Sequence, residues 1–137
     1  MSRANQAMTL EQANTLEILA EALAESQDRF LHTRPDPQGL WLLVGRAPGL
    51  PDDWDLWNPW TDNHDAFSLM VYFDVSLRCY ETSVLAYILD HRTSQTLVAQ
   101  QVAFEPPADY EALTREAIVR VVQKLVLSDY RRSSHDA

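Results

Sequence analysis

The residues best suited to chemistry crowd into one stretch: Asp52, Asp53, Trp54, Asp55, Trp57, Trp60, Asp62, His64 and Asp65. Carboxylates beside a histidine raise the question of a metal ion. The spacing answers against it. There is no His-Glu-x-x-His, no paired cysteine, and no glycine at the sharp turn of a calcium loop. Nucleophilic catalysis fares no better. Ser83 and Ser94 lack a nucleophile-elbow setting, and Cys79 has only Arg78 beside it and reads as a buried, inert thiol. Gly45-Arg46-Ala47-Pro48-Gly49 is no phosphate cradle, because Pro48 removes a donor and no lysine follows. The expectation is a non-enzymatic chain without a metal or cofactor.

Trp54, Trp57 and Trp60 recur at every third position around Pro59. A polyproline-like chain has three residues per turn, so the rings would line one side. Two readings stay open. Buried, the rings form a loop's own core. Exposed, they anchor an interface, since tryptophan dominates hot spots. On the second reading Asp52, Asp53 and Asp55 form a charged rim, and Asp62 belongs to the same partner-binding set. From Arg46 to Arg78 there is no intervening lysine or arginine, so a basic partner would be steered there.

The formal net charge is -9 and the isoelectric point about 4.7. Direct nucleic-acid binding rests on Lys/Arg neutralising phosphates, so it is not expected. The 46% hydrophobic content supplies a core. The 137 residues fit one domain, with free ends at 1–8 and 128–137 and a Trp/Asp/Pro-rich loop at 45–61. A single cysteine fits a reducing compartment, and no run has the length of a membrane span.

Several elements must hold the central segment. Thr9 and Gln12 form a capping box that opens a helix to about Phe30, with Leu16, Leu19, Ala20, Leu23 and Ala24 on its apolar face. Pro35 and Pro37 end any continuation. Leu40–Val44 reads as a short strand. Thr61 or Asp62 caps a second helix, with Ala66, Leu69, Met70 and Phe73 inward. Arg78–Leu89 reads as one central strand, turning through Asp90–Ser94 into a second strand at Thr96–Phe104. Asp109 caps a last helix to about Leu127, with Leu113, Ala117, Ile118, Val121, Val122 and Leu125 buried; Glu111–Arg115 and Glu116–Arg120 are pairs of favourable polarity. The class is α+β: a small antiparallel sheet, a hairpin with a third strand left open, covered by helices in an α/β/α sandwich-like arrangement.

Two segments resemble a known family, the phage ABA sandwich domain. Trp57-Asn58-Pro59-Trp60-Thr61-Asp62, continuing to Asp65-Ala66 and Leu69, resembles its opening motif. Thr114–Val121 is similar to its closing helix. The likeness covers about 57–127. Trp60 departs from it, standing where the family has a small or aliphatic residue. The resemblance implies a fold and a phage or prophage source, and no agreed activity. It implies work in the bacterial host cytoplasm. Together with the charge it leads to an expected accessory protein that binds and inhibits a basic host defence protein or ribonucleoprotein, in the manner of an anti-CRISPR protein. Two alternatives are a small-molecule or nucleotide-signal sponge and a self-assembling phage factor acting as a homodimer.

Overall fold

The computed structural model describes residues 8–26, 30–45, 55–105 and 109–135. These form an α+β fold with two three-stranded antiparallel sheets. The chain divides into two compact units, Met1–Asn58 and Pro59–Ala137.

The first unit opens with α1 (Leu10–Ser26). Its capping box forms as the sequence dictates. The Thr9 amide donates to Gln12 Oε1 at 3.0 Å, and the Gln12 amide donates to Thr9 Oγ1 at 3.1 Å. Leu16, Leu19, Ala20 and Ala24 are buried on one stripe, with Thr15 donating its hydroxyl to the Glu11 carbonyl. The helix packs on β1 (Phe30–Asp36) and β2 (Gly39–Gly45), and β3 (Asp55–Trp57) completes the sheet in the order β1-β2-β3.

Strand β1 corrects the expectation that Pro35 and Pro37 merely end a helix. Pro35 lies within the strand, opposite Leu40. In the described sheet β1 is an edge strand, where alternate N–H groups point away from the partner strand and a proline at such a position costs no ladder bond. The described part of the helix is Leu10–Ser26, residues 27–29 lie outside the described set, and Phe30 opens β1 rather than closing the helix. Strand β3 corrects the expected loop over 45–61 at its far end; residues 46–54 lie outside the described set. At Gly39 an added Cβ would stand 2.8 Å from the Trp57 carbonyl oxygen, so only glycine lets β2 approach β3 this closely.

The second unit holds α2 (Asn63–Phe73), β4 (Ser76–Cys79), β5 (Ser83–Leu89), β6 (Thr96–Ala103) and α3 (Tyr110–His135). The sheet order is β4-β5-β6. The expected hairpin is β5–β6, with β5 central; its third strand is β4, whereas the other expected strand, Leu40–Val44, lies in β2 of the first sheet. The expected single strand Arg78–Leu89 is in fact two, folded back at Tyr80–Thr82. No glycine, proline, asparagine or aspartate marks that turn. A tertiary contact holds it: the Tyr110 hydroxyl, at the start of α3, meets the carbonyls of Tyr80 and Glu81.

Facing residues of paired antiparallel strands share one side of the sheet. Val84, Ala86 and Ile88 are buried and lie opposite Val102, Gln100 and Val98 on β6, with Cys79 and Leu77 opposite Val84 and Ala86 on β4. Helix α3 packs against β5 and β6 and also against α2, burying Leu113, Ala117, Ile118, Val119, Val121 and Val122. Each of the Val, Leu and Ile side chains contributes roughly 1.5–3 kcal/mol on leaving water, and Ala117 less. Ser128 was expected to open a polar tail. Instead α3 runs on to His135, with no proline or glycine to stop it.

Candidate functional site

The expected site segment 52–62 is divided by the fold. Asp52, Asp53 and Trp54 lie outside the described residues. Asp55 begins β3, exposed, opposite Leu42. Trp57 ends β3 opposite Leu40, and both are buried. Trp60, in the turn before α2, is buried as well. Neither ring stands out from the surface as an interface anchor. Among the described residues Trp57 and Trp60 do not share a three-per-turn helix: 55–57 is pleated strand and 59–61 is turn.

Asp62 serves α2 directly. It is the N-cap, in extended conformation, and its Oδ1 accepts from the Asp65 amide at 3.0 Å. Of the expected acidic partner-binding residues, Asp55 and Asp62 are the described members, and both are exposed. Asp65 is half-buried at the first turn of α2. Among the described residues no group of three His, Cys, Asp or Glu stands where it could hold an ion.

Trp60 is held from α3. Arg115 Nε donates to its carbonyl oxygen at 2.9 Å and Arg115 Nη1 to Asn63 Oδ1 at 2.6 Å. The Arg120 guanidinium lies 5.4 Å from the Trp60 ring centroid, while its Nε donates to Glu116 Oε2 at 3.0 Å. The Glu116–Arg120 pair is thus as expected. Arg115 turns away from its expected partner Glu111 because backbone and amide acceptors beside α2 hold it.

A concavity in the second unit was not foreseen. It is an open cleft of about 620 Å³ between the first turns of α2, the first turns of α3 and strand β4. Ala66, Phe67, Met70, Leu77 and Ile118 give it an apolar wall, with His64, Glu111 and Arg115 at polar positions. Cys79 lines it, exposed, which corrects the buried-thiol expectation: β4 is an edge strand, and its end meets this opening. The overlooked signal was Phe67 and Val71. They sit four residues apart on α2, off the inward stripe of Ala66 and Leu69, and both are exposed.

The positive ends of α2 and α3 are already answered. Asp62 caps α2, and Asp109 caps α3 by accepting from the Ala112 amide at 2.7 Å. With Glu111 and Asp65 added, four carboxylates stand on or before these first turns, against the one guanidinium of Arg115. A free anion is therefore disfavoured there, and a cation or neutral apolar group favoured.

Among the described residues no helix is long and apolar enough to cross a membrane. No family model matches the chain, and no curated protein or solved structure matches it.

Proposed function

We propose that this chain is a non-enzymatic binding protein that engages a basic protein partner, and that it serves as an accessory inhibitor of a host defence protein or ribonucleoprotein. The observation that carries the partner's sign is the sequence between Arg46 and Arg78, which holds six Asp and no Lys or Arg; Asp55 is exposed in the first unit, and Asp62 and Asp74 are exposed in the second. Such a field raises the on-rate of a basic surface and turns away nucleic acid and anionic lipid. The defence context draws its support from the motif resemblance at 57–69 and 114–121 alone.

The test is capture on the tagged chain from lysate of a bacterial host with active defence systems, eluted in rising salt. A stoichiometric basic protein released by salt is the expected result. An empty capture overturns the reading. The cleft of about 620 Å³ favours small-molecule binding as the second reading, since small ligands occupy clefts of about 300–1,000 Å³. Thermal stabilisation by a small ligand, with an empty capture, would establish it instead.

A further inference from the structure

We infer that the cleft between α2, α3 and β4 is a docking groove for an apolar side chain carried on a basic segment of a protein partner, so that the contact is anchored in the second unit. This rests on the proposed reading of a basic partner and names the surface it uses.

Three observations carry it. The cleft wall is apolar, with Phe67 57% exposed beside it, so one ring remains in water at its mouth. The apolar surface continues past the cleft: Val71, one turn along α2 from Phe67, is 63% exposed. Residues four apart are neighbours on a helix face, so Phe67 and Val71 extend the contact by one pitch, about 5.4 Å. A small ligand filling the cleft leaves Val71 uncovered, whereas an amphipathic segment laid along α2 covers both. The third observation is charge. Glu111 lines the cleft, and Asp62, Asp65 and Asp109 stand at the helix starts beside it. Arg115 directs its guanidinium to Trp60 and Asn63. An apolar anchor flanked by lysine or arginine complements this surface, and one flanked by carboxylates is repelled.

Cys79 lies in the cleft and is the chain's single cysteine, which makes it a reporter of occupancy. The probes are a short synthetic helical peptide of Leu, Trp and Lys, and its counterpart with Glu in place of Lys. The readouts are peptide affinity and the rate of Cys79 alkylation on the full chain at physiological salt. The basic peptide is expected to slow alkylation and to bind about tenfold more tightly than the acidic one. Phe67→Ser and Val71→Ser change exposed side chains and preserve the fold; Phe67→Ser is expected to weaken the basic peptide about tenfold. Unchanged alkylation at saturating basic peptide, or equal affinity for the two peptides, overturns the inference. So does Phe67-dependent binding of the neutral dye N-phenyl-1-naphthylamine without peptide binding, which identifies a small-ligand cleft. The two proposals fail differently. A salt-released partner held equally by wild type and Phe67→Ser overturns the groove and leaves the partner reading; an empty capture overturns the partner reading itself.

Discussion

Arg115 Nε donates to the carbonyl oxygen of Trp60 at 2.9 Å, joining the last helix to the turn that launches α2. The same guanidinium reaches Asn63 Oδ1, and Arg120 covers the Trp60 ring. The two motif segments, far apart in sequence, thus meet in the fold. Trp60, Asp62, Asn63 and Arg115 are explained by packing and capping within the second unit, while Trp57 and Asn58 pack within the first. Arg115→Ala is expected to destabilise that unit by about 1–3 kcal/mol, read from denaturant midpoints. Arg115→Lys recovers only part of this, because an ammonium cannot reproduce the planar fork that serves two acceptors. A double-mutant cycle with Asn63→Ala should give a coupling of about 0.5 kcal/mol or more; strict additivity contradicts the assignment.

The caps at Asp62 and Asp109 make a second prediction. Each accepts from an amide of its own helix's first turn. Asp62→Ala and Asp109→Ala should each cost about 1 kcal/mol of stability, and Asn at either position only a fraction of that. Equal losses for Ala and Asn at Asp62 would show that its charge, rather than the cap geometry, matters.

Gly39 makes a third. A methyl group there meets the Trp57 carbonyl at 2.8 Å and the Asn58 Cβ at 3.1 Å. Asn58 is itself tied down, its Nδ2 donating to the Gln38 carbonyl at 2.9 Å. Backbone must move to admit the side chain, so Gly39→Ala is expected to destabilise the first unit by about 1–3 kcal/mol. An unchanged thermal midpoint would contradict this.

Asp36 gives the chain a local acid sensitivity. Its carboxylate accepts from the Gln38 amide at 2.8 Å and from Trp41 Nε1 at 3.0 Å, and these bonds hold its pKa below the ordinary aspartate value. A depressed carboxylate pKa stabilises the folded state above the unfolded value, and that contribution is lost as pH falls through the folded value. The Trp41 indole proton should therefore shift on acidification with a midpoint below that of a free aspartate, and Asp36→Ala should abolish the transition. A midpoint at or above the free value contradicts the geometry.

Much of the fold was legible because local signals agreed with tertiary structure. Thr9 with Gln12, Asp62 before an apolar run, and the alternation through Ser83–Leu89 and Thr96–Ala103 each named an element that forms. The misses share a cause: a distant contact overrides a local cue. Pro35 sits in a strand because β1 is an edge, and Tyr80–Thr82 turns without turn residues because Tyr110 holds its carbonyls. The site was less legible still. Spacing alone gave Trp57 and Trp60 no depth, and both lie buried. The cleft stayed hidden because its walls come from three elements, of which only the Phe67–Val71 face left a trace in sequence.

The central claim is that acidic side chains recruit a basic protein. Its most direct test is a side-by-side capture from host lysate on the tagged wild-type chain and on the triple variant Asp52→Asn, Asp53→Asn, Asp55→Asn, each eluted across a salt series. These substitutions remove charge while keeping side-chain size. The account predicts a basic protein bound stoichiometrically to wild type and released by salt. Retention by the triple variant should fall about tenfold, with a shallower salt dependence. Equal retention by both chains, or a bound partner insensitive to salt, would contradict it.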